Sequence, residues 1–158
     1  MFRQMRRFKQ QMPEEVCYEM LREGKRGVLA VNGDNGYPYA MPLDFLYDEE
    51  SGNIYFHGAK AGYKIDALRK SDKVCFVLRD EVGTPSEDWW LNYRSVIIFG
   101  RIHFMEQSEE SDKILRRLGL KYYPTPESVE KVMKSSASRT QMLKLEIEHI
   151  TGKYVQEE

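Results

Sequence analysis

The fold of this 158-residue chain is decided by the stretch Tyr37–Tyr47, "YPYAMPLDFLY". Its large side chains alternate strictly with smaller or polar ones, which is the period of a β-strand with one packed face. Pro38 and Pro42 have the same parity, so both of their missing N–H groups would point to one neighbouring side. We therefore predict a strand over 37–47, one side of which is a sheet edge, a bulge or the wall of a ligand site.

Alternating or continuous apolar runs predict further strands on both sides of this stretch. They cover 26–31, 54–57, 73–79, 91–106 and 141–155. Helices are predicted after Pro13, over Gly62–Lys70, and in the two segments that begin at Ser108 and Thr125. Gly100 interrupts the longest strand, as bulges that close barrels do. We predict a mainly β (α+β) antiparallel barrel of about six strands with peripheral helices, in a single domain over 1–158.

The composition points to a small-molecule or protein partner. The formal net charge is −1, which gives no bulk attraction to nucleic acid or to an anionic membrane. No apolar run reaches the length of a membrane span. Cys17 and Cys75 have no metal or redox spacing, so we expect two core thiols and a cytoplasmic protein.

The stretch 55–68, "YFHGAKAGYKIDAL", leads from a strand through a glycine-containing turn into a helix. A helix that begins in this way presents unpaired N–H groups and the positive end of its dipole. Lys60 and Lys64 would add positive charge there, which predicts a phosphate site. The alternative is that Lys64 is one more solvated lysine on a helix surface.

His57 is the candidate for handling protons, because histidine titrates near neutral pH. The alternative is a histidine whose ring is satisfied by a backbone carbonyl. His103 and His149 lie on the polar parity of their strands, and the three scattered histidines indicate no metal site.

Two aromatic or basic clusters leave alternatives open. Trp89, Trp90, Tyr93 and Arg94 would cover a planar ligand, build a subunit interface or anchor a loop. The basic residues of the first ten positions, Arg3, Arg6, Arg7 and Lys9, predict a solvated or dimer-clasping arm.

Several motifs taken together resemble one family of proteins. They are "MFRQMRR", "GYPYAMPLDF", "YFHGAKAGYKIDAL", "DKVCFVL", "YRSVIIFGRI" and "ITGK". The ordered set is similar to the nitroimidazole-resistance (Nim) group of flavoproteins, within the pyridoxamine 5′-phosphate oxidase-like split-barrel superfamily. The resemblance runs from Met1 to about Lys153.

The resemblance implies a homodimer of six-stranded split barrels with FMN in the two clefts between subunits. It implies an oxidoreductase that reduces a small planar acceptor such as a nitro-aromatic, with His57 beside the flavin as the catalytic candidate. The implied cofactor-binding residues are Tyr39, Ala40, Met41, Pro42, Leu43, Asp44, His57, Gly58, Ala59, Lys60, Gly62, Tyr63, Lys64, Arg94, Ser95 and Val96.

The chain departs from pyridoxamine-phosphate oxidases in one pair of residues. Tyr63-Lys64 stands where those enzymes have Arg-Lys, and their C-terminal arginine pattern is not apparent, which argues against vitamin B6 oxidation. A flavin-binding protein without turnover is the alternative function, and haem or a deazaflavin is the alternative ligand. Haem would need an axial donor, for which His57 is the candidate.

Overall fold

The chain bends sharply at Phe45, and this bend shapes the sheet. In the computed structural model, which describes residues 1–81 and 92–155, the stretch predicted as one strand forms two, β2 (Pro38–Asp44) and β3 (Leu46–Asp48). They lie at opposite ends of a seven-stranded antiparallel sheet in the order β2-β1-β5-β6-β7-β4-β3. The prediction of six strands is thereby corrected, because the extra strand comes from the break at Phe45.

The other elements follow the predicted order. The remaining strands are β1 (Arg26–Asn32), β4 (Asn53–Ala59), β5 (Lys73–Glu81), β6 (Tyr93–Phe104) and β7 (Thr140–Val155). The helices are α1 (Glu14–Glu23), α2 (Tyr63–Lys70), α3 (Glu109–Tyr122) and α4 (Pro126–Ser136). Short 3₁₀ turns occur at Phe8–Gln10, Asp34–Gly36 and Ala137–Arg139. None of the described helices is long and apolar enough to span a membrane.

Strand β2 is the sheet edge that its prolines predict. It pairs with β1 in continuous register from Asn32↔Pro38 to Arg26↔Asp44. The missing proline donors therefore fall on the side away from β1. On that side β2 approaches β4 without pairing to it among the described residues. The barrel is thus split between β2 and β4.

The packed face predicted for this stretch is only partly formed. Phe45 is fully buried, and Met41 and Leu43 are half-buried against the core. Tyr37 and Tyr39 are exposed instead, because an edge strand that runs past the barrel wall has no second layer to cover them. Cys17 is a core thiol as predicted, but Cys75 is half-buried on the outer face of β5.

Gly100 produces the predicted irregularity in the longest strand. The register between β6 and β7 shifts between Phe99 and Gly100. A Cβ atom at Gly100 would lie 2.1 Å from the Glu146 carbonyl oxygen, so no side chain fits there. The barrel core beneath includes Phe56 and Phe76, whose rings meet edge to face at 5.0 Å.

Helices α3 and α4 pack outside the barrel. The Ser108 hydroxyl accepts from the Ser111 N–H at the start of α3, and the Thr125 hydroxyl accepts from the Ser128 N–H at the start of α4. The inner side of α3 buries Ile114 against Tyr55 and Met142. This packing holds the helix pair over the outer surface of β4 and β7.

The carboxyl end of α3 fastens the bend at Phe45. The Tyr122 hydroxyl accepts the Phe45 N–H at 2.9 Å and donates to the Lys25 carbonyl. The Lys121 ammonium donates to the Phe45 carbonyl at 2.8 Å and lies 3.9 Å from the centre of its ring. Burial lowers the pKa of Lys121 to about 8, while Asp44 opposes the shift.

The lowered pKa of Lys121 predicts a pH-dependent stability. Between about pH 8 and the ordinary value of 10.5, the unfolded chain binds more protons than the folded one, so stability rises with pH in this window. Relative to Lys121→Met, we expect the wild-type free energy of unfolding to increase by about 1–2 kcal/mol from about pH 7 to about pH 10, since solvent screens part of the effect. Urea denaturation across this range measures it. A difference between the two proteins that does not change with pH contradicts the prediction.

Candidate functional site

The turn between β4 and α2 forms the amino end of a helix without a side-chain cap. Gly62 precedes the first helical residue with φ 129°, a conformation that residues with side chains rarely adopt. No side chain of the described residues accepts from the first-turn amides. These N–H groups and the helix dipole favour an anion at this position.

Lys64 extends from the first turn of α2 across Gly58. An ideal Cβ at Gly58 would lie 2.7 Å from the Lys64 Nζ, so the absence of a side chain there leaves room for the ammonium. Lys64 is half-buried, and within 1–81 and 92–155 its Nζ has no hydrogen-bond or ion-pair partner. Burial lowers its pKa. A partly desolvated cation without a partner is costly, and a bound anion removes that cost.

Tyr63 attaches the start of α2 to the edge strand. Its hydroxyl accepts the Asp34 N–H at 2.7 Å, and its ring lies 4.3 Å from the ring of Tyr39. Tyr63 therefore serves as a packing and hydrogen-bonding residue. It fixes β2 against the turn that carries Lys64.

His57 lies near the end of β4, on the outer side of the sheet. It lines a cavity of about 290 Å³ together with Asp44 from β2. The His57 side chain keeps an exposed surface, although protein atoms surround much of it. Burial lowers the pKa of His57, Asp44 raises it, and Lys64 lowers it. Asp44 accepts from the Arg26 Nε at 2.7 Å. His57 is therefore neutral near pH 7, with one ring nitrogen able to donate and the other to accept.

The structure brings together two of the three predicted site segments. Residues 39–44 of β2 lie beside residues 57–64 of the β4–α2 turn. The third segment, Arg94–Val96, lies at the start of β6. The other end of β6, at Phe104, lies near β4. The two ends of the strand are about 30 Å apart. Arg94 makes two hydrogen bonds to Asp80, at 3.1 and 2.5 Å, and the Val96 side chain is fully buried. No hydrogen bond or ion pair joins this segment to Lys64 among the described residues.

The remaining residues that the sequence singled out are the two tryptophans and the two other histidines. Trp89 and Trp90 lie outside the described residues. His103 hydrogen-bonds Glu146 at 3.1 Å, and His149 stacks on Phe2. Among the residues that the structure describes, no group of three or more potential ligands could hold a metal ion.

Sequence reasoning missed the wall that α3 and α4 contribute to the cavity. Tyr122 and Met133 line it opposite His57, although they are distant from His57 along the chain. The apolar spacing of both helices was visible in the sequence. It did not reveal that the helices leave a cavity over β4 instead of packing flush against it.

A family comparison agrees with this geometry. A family model described as pyridoxamine 5′-phosphate oxidase matches residues 13–154, which is most of the chain and includes both segments of the site. The chain belongs to the pyridoxamine 5′-phosphate oxidase family. The sequence resemblance to the split-barrel superfamily is confirmed by this match.

One curated relative matches part of the chain. A 5a,11a-dehydrotetracycline/5a,11a-dehydrooxytetracycline reductase of Streptomyces rimosus is 36% identical over 89 residues, which are 55% of this chain and 58% of the relative. The match thus spans little more than half the length of either protein.

Solved structures share the fold at low sequence identity. A candidate 5-nitroimidazole antibiotic resistance protein from Bacteroides thetaiotaomicron has a TM-score of 0.73 and 18% identity, covering 94% of this chain and 90% of that one. An FAD-binding protein from Mesorhizobium loti has a TM-score of 0.67 and 17% identity, covering 92% and 96%. At these identities the likeness shows the fold alone.

Gly58→Ala tests the arrangement around Lys64 in this family member. The new methyl group would occupy the position of the Lys64 ammonium, whose flexible side chain moves aside at little cost in stability. We expect an unchanged melting temperature and an affinity for inorganic phosphate or a phosphorylated ligand that is lower by about tenfold, the loss of a charge-assisted contact. Calorimetric titration and thermal denaturation measure both quantities. Unchanged affinity would show that the anion does not bind over Gly58.

Proposed function

We propose that this protein binds FMN and acts as an oxidoreductase that reduces a small planar acceptor. The observation that carries the proposal is the half-buried Lys64 ammonium at the uncapped start of α2, which has no partner among the residues that the structure describes. The two features together form a cradle for a phosphate group. Family membership supports a flavin as the molecule that carries the phosphate.

The fit to the phosphate end is chemical as well as spatial. Lys64 supplies the charge, the first-turn amides of α2 supply donors, and Gly58, which has no side chain, leaves room for the Lys64 ammonium. Lys60, exposed on the same turn, adds long-range attraction. A phosphate dianion in this position raises the pKa of Lys64 back toward its ordinary value.

The edge strand supplies a wall for the ring system. Ala40 and Pro42 are exposed on β2 and lie opposite Ala30 and Val28 of β1, so all four share one face of the sheet. The free edge of β2 leaves the Ala40 N–H and the carbonyl groups of Ala40 and Pro42 available to hydrogen-bond a heterocycle, because the alternate residues of the strand direct their backbone groups at β1. Flavin bound there would supply electron and hydride transfer, while the chain orients it and tunes its electronics.

The same face of the sheet continues from β1 across β5 and β6. It supports a second copy of the chain as the partner. Val28 is followed in register by Val77 and Ile97, and Ala30 by Cys75 and Phe99. Val28, Ile97 and Phe99 are each at least 40% exposed, and an apolar face of this extent on a monomer marks an interaction surface. Phe2 lies over Phe99 at 5.8 Å, which places the predicted N-terminal arm on this face.

A homodimer through this face also accounts for the third predicted segment. The Ser95 side chain has the same parity as Ile97 and Phe99, so it lies on this outer face. A partner copy would present its own Arg94–Val96 segment to the cofactor cleft that the first copy leaves incomplete. We propose that each cleft combines the β2 edge and Lys64 of one subunit with this segment of the other.

His57 is the residue proposed to handle the acceptor. It is neutral near pH 7 in the free chain, because desolvation lowers its pKa. A phosphate near Lys64 would shift that pKa upward, since negative charge favours the imidazolium form. His57 would then donate a proton or a hydrogen bond to the acceptor, a general-acid role worth about a hundredfold in rate or more. The partial match to a reductase of a polycyclic substrate supports reduction as the reaction class.

Loss of the Lys64 ammonium should weaken FMN binding selectively. For Lys64→Ala we expect a loss of about 1.5–3 kcal/mol in FMN affinity, as for a charge-assisted contact. Riboflavin, which lacks the phosphate, should bind both proteins equally, and Lys64→Arg should retain most of the FMN affinity. Flavin fluorescence during titration of flavin-free protein measures these affinities.

The matched control is Lys70→Ala on the same helix, because Lys70 is exposed and paired with Asp34 at 3.3 Å. It should leave FMN binding unchanged. Equal losses of FMN and riboflavin affinity in Lys64→Ala, or no loss in a folded variant, would contradict the phosphate assignment. Failure of the wild-type chain to bind FMN at all would overturn the proposed function.

Dimerisation is tested by a charge in the centre of the apolar face. Ile97→Asp should dissociate the dimer, because two buried carboxylates would face each other near the symmetry axis. FMN affinity should fall by about tenfold or more with the loss of the partner's segment. Leu120→Asp, at an exposed apolar position on α3, is the control and should remain dimeric. Sedimentation velocity measures the state, and a monomeric Ile97→Asp with normal FMN affinity would show that the cleft does not need the partner.

A further inference from the structure

We propose that the cavity between α3, α4 and the outer wall of β4 is the binding site of the acceptor, and that it takes a flat, largely apolar molecule of one or two fused rings with a polar substituent directed at His57. The proposal rests on the proposed function, because it assigns the substrate class of that site. It concerns a different part of the chain from the cofactor contacts at Lys64 and β2.

The helices give the cavity an apolar lining. The apolar side chains that line it are Leu115, Leu118, Val129, Val132 and Met133, and the rings of Tyr122 and Tyr123 also line it. Apart from Tyr123, which follows α3, they come from the facing sides of α3 and α4, while the barrel wall supplies the opposite side. A cavity of this lining favours an aromatic or quinonoid body over a sugar or an amino acid, because each apolar contact releases water from both surfaces.

His57 is a polar group in the cavity wall whose ring nitrogens remain available to a ligand among the described residues. Asp44 accepts from Arg26 at 2.7 Å, and the Thr140 hydroxyl donates to the Ser136 carbonyl at 2.8 Å. For His57, no hydrogen bond from either ring nitrogen to any described residue is found. A carbonyl or nitro oxygen on the bound molecule would satisfy the imidazole N–H, and this fixes the orientation of the ring in the cavity.

The size of the cavity limits the acceptor. Its volume is about 290 Å³, at the lower end of the range of ligand pockets, about 300–1,000 Å³. Gly119 holds α3 close to α4, since an ideal Cβ there would lie 3.0 Å from a Val129 methyl carbon. The two helices therefore approach as closely as a glycine allows, and their contact sets an upper limit on the width of the ligand.

A series of substitutions at Val132 tests the assignment. Val132 is half-buried and faces the cavity, so Val132→Phe and Val132→Trp fill it by increasing amounts without adding charge. The control is Lys134→Trp, which adds the same bulk at an exposed position of the same helix. Thermal denaturation selects the variants that fold, and Val132→Phe serves if Val132→Trp does not.

The probe is 1,4-naphthoquinone, titrated by calorimetry into FMN-loaded protein and into flavin-free protein. We expect its affinity to fall by about tenfold or more in the filled variants, because the added ring occupies the space of the ligand. FMN affinity in the same variants, and quinone affinity in Lys134→Trp, should stay at the wild-type values. His57→Ala should weaken binding of the quinone to FMN-loaded protein, because the ligand loses its hydrogen-bond partner in the cavity.

Two results would overturn the assignment. Quinone affinity that is unaffected by filling the cavity, or absent in the wild-type protein, would place the acceptor elsewhere. Loss of FMN affinity in the filled variants would assign the cavity to the cofactor instead. A wild-type chain that binds the quinone but no FMN would refute the proposed cofactor and not the cavity, so the two failures are distinguishable.

Discussion

The bend at Phe45 is the constraint on which the barrel and its site depend. It joins β2 and β3, the two outermost strands of the sheet, through a single residue. In an ordinary barrel, hydrogen bonds between the two outermost strands would close the sheet. Because β2 and β4 do not pair with each other in the described part of the chain, the bend needs another means of support, and the carboxyl end of α3 provides it through Lys121 and Tyr122. The gap that remains is what allows β2, His57 and α2 to meet around one space.

The prolines and the lysine of the site belong to the same physical pattern. Pro38 and Pro42 remove donors that a neighbouring strand would have used, and Lys64 carries a charge that no side chain in the described part of the chain neutralises. Both features lower the stability of the folded chain, since unpaired strand edges and desolvated charges cost free energy. They lie together at one split, which is where a ligand with a heterocycle and a phosphate can compensate for both.

The local sequence pattern predicted most of the fold and the two segments that meet at the candidate site. Alternation predicted extended structure over 37–47, and proline parity predicted a side without full pairing, which is the free edge of β2. The phosphate site at Gly62 and Lys64 stays a prediction. Each of these inferences depends on neighbours in sequence. The break at Phe45 was not predictable, since the alternation runs through it unbroken and its cause is contacts from residues more than seventy positions away. The exposure of Tyr39, its packing on Tyr63 and the cavity beneath α4 have the same origin in tertiary contacts.

The electrostatics of the site link cofactor binding to the state of His57. In the free chain, desolvation lowers the pKa of both Lys64 and His57, and the pKa of His57 is further raised by Asp44 and lowered by Lys64. In the proposed complex, an anion between the turn and the helix would oppose both shifts, so its binding would favour proton uptake and the protonated imidazole. Because the proposed acceptor cavity opens onto that imidazole, its proton donor would be prepared by the anion beside it, and the cofactor and the acceptor would be coupled through charge without any movement of the backbone.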